Sequence, residues 1–134
     1  MGLPESSAAT LAILGGLSGI ANAWDKPPIN VSAGQFPFII IYPFEGEMQP
    51  LSAGHNRGLH TVVVELHQSR RVSPESLVAV ETWPERFMEA LAAETTLSAI
   101  NTMVSWPMSY RAGPIEYGKN VHYGVRFEII LKIH

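Results

Sequence analysis

Five histidines and a short supply of carboxylates are the residues with which this chain could do chemistry. The histidines are His55, His60, His67, His122 and His134. A zinc-type site needs three or four nitrogen, sulfur or carboxylate donors converging on one point. His60 and His67 are an odd number of residues apart and fall on opposite faces of any strand that holds both, so they cannot share a metal within it. His55 and His60 would meet only through loop folding. No HExxH motif is present, there is no cysteine, and no Asp or Glu completes a ligand set. The sequence therefore predicts no metal site.

Asp25 is the only aspartate, which leaves little for paired-carboxylate catalysis. Glu65, Glu116 and Glu128 remain as candidates. Glu65 and Glu128 sit on the polar faces of predicted strands, where solvation, cross-strand pairing or a subunit contact accounts for them. A Glu65–Arg126 pair and a Glu128–Arg57 pair are both open on sequence grounds. No serine lies in a GxSxG elbow. Gly15, Gly16 and Gly19 lack a preceding strand, the GxGxxG spacing and a GK[ST] ending, so they read as helix-ending and loop glycines. No reactive constellation assembles, and the chain is expected not to be an enzyme.

Composition points the same way. The 134 residues suit a single domain, 1–134, with one core. Only 16% of residues are charged against 46% hydrophobic, well under the usual charged share of about a quarter. Either the globule is poorly solvated, or neighbouring subunits cover surface that a monomer would expose. The net charge of −3 gives no general attraction for nucleic acid. A mildly acidic wall would instead let it slide past. Arg57, Arg70, Arg71 and Lys119 are too scattered for an adhesive groove, and no aromatics interleave with them. The N-terminal stretch, with Glu5 as its only charge, lacks the basic region of a signal peptide, and no run is long enough to cross a bilayer.

The elements that would position these side chains follow from periodicity. Val121–His134 alternates, with Val121, Tyr123, Val125, Phe127, Ile129, Leu131 and Ile133 on one face. That spacing of two predicts an internal strand with one buried face and one wet or contact face. A helix is predicted over Leu3–Leu14, with Pro4 in its first turn. Leu17–Ala23 follows as a short piece or the entry to a first strand, and Trp24 as a plug at the sheet edge. Phe36–Tyr42 is a strand apolar on both faces, opening at or just after Pro37. Phe44–Arg57, with its glycines and Pro50, reads as a long mobile loop. Gly58–Gln68 is a third strand whose core face is His60, Val62, Val64, Leu66 and Gln68.

Ser73-Pro74-Glu75 starts a second helix running to Ala93. Pro84 predicts two segments or a sharp kink, with Thr82 as the second cap. Thr95–Ala99 is a link, and Ile100–Tyr110 a fourth strand broken by a bulge near Trp106-Pro107. Arg111–Asn120 joins it to the last strand. The fold class is α+β: a mixed, mostly antiparallel sheet of four to five strands, packed by two or three helices, in the order α-β-β-β-α-β-β.

Four passages carry a resemblance: PFIIIYPFEGE (Pro37–Glu47), GLHTVVVELH (Gly58–His67), ETTLSAINTM (Glu94–Met103) and GPIEYGKNVHYGVRFEIILKI (Gly113–Ile133). In these, over most of the chain after the first helix, it resembles the tail terminator (tail completion) proteins of long-tailed bacteriophages. The resemblance implies a small α/β subunit of a hexameric ring, with no cofactor and no enzymatic activity. Such a ring caps the tail tube and offers the surface to which the head is joined through its connector. Implied partners are further copies of the chain, the tail tube protein, and a head–tail connector or neck protein. DNA would pass non-specifically through the lumen, and no membrane is involved. The implied location is the tail–neck region of the virion, after assembly in the host cytoplasm. The interruptions at Trp83-Pro84 and Trp106-Pro107 depart from the family pattern.

Within that reading the expected contact residues are Glu45, Glu47 and Met48 in the 44–57 loop, Arg70 and Arg71 in the strand–helix turn, and Tyr117 and Lys119 in the last hairpin. Met48 would be an apolar anchor, and the others would supply hydrogen bonds or ion pairs. Another neck protein, such as a head–tail joining component, is one alternative. A small enzyme or ligand-binding domain using His60, Glu65 and Arg126 is another.

Overall fold

A computed structural model describes residues 2–52, 55–94 and 102–133. Its centre is β5 (Asn120–Ile133), which pairs antiparallel with β3 (His55–Ser69) on one side and β4 (Thr102–Tyr117) on the other. β2 (Phe38–Ser52) runs antiparallel to β3, and the three-residue β1 (Asn22–Trp24) lies parallel to β2. The sheet order is β1-β2-β3-β5-β4. Because β5 lies between β3 and β4, those two strands are parallel, and helix α2 (Pro74–Ala92) makes the crossover between them. This is the mixed, mostly antiparallel sheet and the element order that the hydrophobic periods predict.

Helix α1 (Leu3–Gly15) and α2 cover one face of the sheet. Leu11 and Leu14 from α1, with Val80, Trp83, Phe87 and Leu91 from α2, pack on Ile39, Val62, Val64, Leu66, Val125, Phe127, Ile129 and Leu131. The alternation in β3 and β5 thus aims one row of each strand into a single core. Phe87 stacks on Phe127 with ring centroids 4.3 Å apart. Ser6 of α1 reaches Thr102 at the start of β4 at 2.7 Å, inside the same layer.

Several expectations are corrected. α2 is one continuous helix through Pro84, and Thr82 Oγ1 donates to Ala79 O rather than capping a second segment. Its core stripe includes Trp83, whereas Leu77 and Met88 are exposed. The α2 start is as expected: Ser73 Oγ accepts from the Ser76 backbone N–H at 3.1 Å, and Ser76 Oγ accepts from the Ser73 N–H. β4 extends to Tyr117, so Arg111–Asn120 is strand plus a tight turn rather than a link. Its pairing slips between Ser105 and Ser109, the bulge expected at Trp106-Pro107. The Thr95–Ala99 link lies outside the described residues.

The largest correction is at 44–57. Its described residues, 44–52 and 55–57, are not a loop but the far half of the β2 and β3 strands, with Glu45 opposite Thr61, Glu47 opposite Leu59 and Gln49 opposite Arg57. Its glycines were misleading for a definite reason. Gly46 lies directly across from His60, and a Cβ at Gly46 or at Gly58 would collide with the His60 ring. They flank a buried histidine in a ladder rather than break a strand.

The second face of the sheet is covered only at one end. Residues 25–37 cross it as a strap, with a single 3-10 turn at Ala33–Gln35. Beneath the strap, Val31, Phe38 and Tyr117 form a small second core with Trp24, Phe36 and Ile40. The Trp24 ring sits 4.9 Å from Phe38, the edge plug that the sequence predicts. No helix among the described residues is long and apolar enough to cross a membrane.

Candidate functional site

The strands place functional side chains in two regions, one at each end of the β2–β3 pair. The first is a projecting arm. The described part of β5 ends opposite Gly58, so 49–52 and 55–57 pair without a third strand among the described residues. Glu45, Glu47 and Met48 lie just before that point, on the β2 edge where β3 is still backed by β5, and all are exposed, Met48 at 65%. Phe44, at the register slip between Pro43 and Glu45, is 53% exposed with the Arg126 guanidinium 5.3 Å above its ring. Leu59 adds another exposed apolar side chain. β4 is the opposite edge of the sheet and exposes Met103, Trp106 and Tyr110. β1 covers β2 only as far as Ile40, so the rest of β2 is an edge too. Both edges carry prolines, Pro43 and Pro50 on one and Pro107 and Pro114 on the other, which limits indiscriminate strand addition.

The second region lies under the strap at the opposite end. Tyr42 Oη donates to Glu65 Oε2, His67 Nε2 donates to Glu65 Oε1 at 2.9 Å, and His67 Nδ1 meets His122 Nδ1 at 2.9 Å. His67 has no solvent exposure and its ring lies flat on Phe38, centroids 4.6 Å apart. Burial pushes the Glu65 carboxyl up, but the hydrogen bonds from His67 and Tyr42 outweigh it and hold the group below the usual carboxylate range. Burial, together with the charges of His67 and Arg70, pushes His122 down to about 4. Its ring is therefore neutral at pH 7.

One hydrogen serves the contact between the two histidines. One Nδ1 carries the hydrogen and the other accepts it through its lone pair. Among the described residues no buried side-chain nitrogen or oxygen lacks a partner, and none is assigned to His122 Nε2. That atom therefore opens outward, onto a cleft of about 500 Å³ that His122 lines with Asn30, Val31, Arg70, Arg71, Asn120 and Val121.

The seven expected contact residues divide between these regions. Glu45, Glu47 and Met48 share the arm, while Arg70, Arg71 and Lys119 are exposed at the other end. Tyr117 is a correction. Its ring faces the strap, packs edge-on against Phe38 and stacks on His122 at 5.1 Å, and its hydroxyl donates to Pro28 O. It is a residue of the inner core, not of an outer surface. Glu65 and Arg126 face each other in register, but the Glu65 carboxylate pairs with His67 and Arg126 with Glu128, so the Glu65–Arg126 ion pair is not among those formed by the described residues. Arg126 also reaches Glu128 on its own strand at 3.4 Å, so Glu128 has a partner other than Arg57. His60 points to the helix side, away from Glu65 and Arg126, and the trio His60, Glu65 and Arg126 does not converge.

Sequence reasoning passed over Tyr42, His67 and His122. His67 and His122 share a face but sit on a diagonal, with His67 opposite Gly124. A Cβ at Gly124 would collide with the Leu66 carbonyl, so the strands close up there only because the residue is glycine. A glycine inside an otherwise well-patterned strand was the available signal. His134 lies outside the described residues, and His55 begins β3. Among the described residues no group of three or more His, Asp or Glu side chains is arranged to hold a metal. Compared with known proteins, the chain matches no family model and no curated protein sequence.

Proposed function

We propose that this chain is a structural subunit of a ring in the tail of a long-tailed bacteriophage, of the tail terminator type. The observation that carries the reading is the unequal cover of the sheet. At one end the β2–β3 pair is enclosed by helices and strap, and at the other the open β2 edge carries Phe44, Glu45, Glu47 and Met48 exposed, with 49–52 and 55–57 extending past the described end of β5. Chains rarely keep several apolar side chains together on an open sheet edge unless another surface covers them. Two unlike open edges, β2 and β4, suit a head-to-tail contact, and such contacts close into rings when the rotation between subunits closes. The low charged fraction agrees with surfaces shared between copies. The four passages that resemble the tail terminators supply the specific role and the six-fold order.

In this role the ring meets the tube on one side and a connector or neck protein on the other, and DNA passes through its lumen. The test is mass determination and negative-stain imaging of the purified protein, alone and with purified tail tubes. Six-fold rings, free or seated on tube ends, are the expected result. A chain that stays monomeric at high concentration and leaves tube ends bare contradicts the proposal.

A second reading, a small ligand-binding domain, has one observation in its favour. The Tyr42–Glu65–His67–His122 chain ends beside a cleft that His122 lines with Arg70 and Arg71.

A further inference from the structure

We propose that the edge formed by β1 and the open part of β2 takes the β4 edge of a second copy, with Tyr110 seated in the groove between α1 and β2. The inference deepens the ring reading and rests on it for the fact that copies assemble.

The strand directions permit this join. β2, β3, β5 and β4 alternate in direction, so the two edges of the sheet run opposite ways. β1 is parallel to β2 and shares its direction. A second copy that continues the sheet with its helices on the same face therefore sets its β4 antiparallel to β1 and β2. Contact of β4 with β4 would instead be two-fold and would leave the groove beside α1 open.

The registers match the two edges height for height. Ala23, Ile39, Leu66, Val125 and Ala112 form one row across the sheet, with an exposed alanine at each end. Two residues on, Ile41, Val64, Phe127 and Tyr110 form another. Two further on, both edges lose their regular pairing. β2 slips at Phe44, between the partners of Val62 and Thr61, and these two residues pair with Ile129 and Ile130. β4 slips between the partners of Ile130 and Glu128, over Trp106, Pro107 and Met108. Pro43 and Pro107 therefore stand at one height, and each removes a backbone donor where the ladder fails. Phe44 and Trp106, 53% and 44% exposed, are the aromatic side chains of the two slips.

The surfaces are complementary as well. The groove, of about 720 Å³, is walled by Ala8, Leu11 and Ala12 of α1 with Ala23 and Ile41, and Asp25 is its only charged residue. Glu5 is the only charge on α1, and Ala8 and Ala12 are exposed. A helix apolar on every side is normally covered. Tyr110, 57% exposed, stands at the height of Ile41 on the other edge and supplies a ring for the groove. Arg111 stands at the height of Trp24, through Ile40, Glu65 and Arg126, so Asp25 is one residue away in height. The ion pairs of the described residues include neither Asp25 nor Arg111, and Arg111 lies across from the like charge of Arg126. In the joined pair the Tyr110 hydroxyl donates to the Asp25 carboxylate, and Arg111 gains an opposite charge.

The test uses Ala23→Cys and Ala112→Cys, made singly and together, since the chain itself has no cysteine to interfere. The assembled protein, alone and on tail tubes, is oxidised and read on non-reducing gels. The expected result is a ladder of covalent oligomers from the double variant, a dimer from the mixed single variants, and neither single variant joined to itself. Asp25→Arg or Arg111→Asp alone raises the concentration for half-assembly by at least about tenfold, and the two together restore it to within about threefold of wild type. Unfolding midpoints of the same proteins stay at the wild-type value, because both positions are exposed. Rings that form with these cysteines apart, an Ala112→Cys chain joined to itself, or a double reversal that stays dispersed overturns the interface while the ring reading stands. A wild-type chain that forms no assembly, alone or on tubes, overturns both.

Discussion

The two ends of the β2–β3 pair are built from the same two strands and differ in almost everything else. At the strap end, Phe38 and His67 face each other inside a closed layer, with aromatic rings on several sides and polar atoms satisfied by one another. At the arm end, Glu47 faces Leu59 and Met48 faces Gly58, with the ladder as the main support. Backbone pairing holds both ends in register; side chains are buried on both faces at the first, whereas at the second burial is confined to the helix side, as at His60. The strap end therefore maintains the fold, and the arm end is free to serve a contact.

Substitutions sharpen this contrast, and the largest effect is expected at the closed end. Phe38→Ala empties the space between Trp24, His67 and Tyr117 and should lower unfolding free energy by about 3–5 kcal/mol in denaturant titration. Gly124→Ala, with no room beside the Leu66 carbonyl, should cost about 1–3 kcal/mol through forced strand separation. Glu65→Leu strips His67 and Tyr42 of their acceptor and should cost a similar amount, about 1–3 kcal/mol. A loss as small as that of a surface change would show that the buried polar chain contributes little to stability.

Acid acts on the same end. His122 is held down at about 4 against an ordinary value of 6.5, so between those values the unfolded chain binds more protons than the folded one. Stability should therefore fall as pH drops from about 6.5 towards 4. The depressed Glu65 carboxyl adds a further loss below its ordinary range, as pH approaches its folded value. Thermal scans of the wild type and His122→Gln test this: the variant should lose the upper part of the slope. An identical profile in both would place the titration elsewhere.

How much of this could be read from the sequence divides along the same line. The order of elements, the internal position of β5 and the core row Val62, Val64, Leu66 were legible because alternation in β3 and β5 is nearly unbroken. The arm was misread because Gly46, Gly54, Pro50 and Gly58 carry the local signals of a loop. Only the pairing shows that Gly46 and Gly58 make room for His60. The Tyr42–Glu65–His67–His122 chain was illegible for a geometric reason. It spans three strands, and which residues meet on a diagonal depends on register, which a single strand's pattern does not contain. The continuity of α2 was hidden by Pro84, whose local cost is outweighed by the packing of Trp83 and Phe87 on either side of it.

The smallest effect on stability and the largest on assembly should fall together on the arm. Phe44→Ser combined with Met48→Asp removes two exposed apolar side chains from the open β2 edge. The decisive measurement is the unfolding free energy of this variant set beside its yield of rings on tail tubes. The account predicts a stability within about 0.5 kcal/mol of wild type, as for surface positions, and a loss of rings. Rings formed at wild-type yield, or a fold that collapses with the arm, would contradict it.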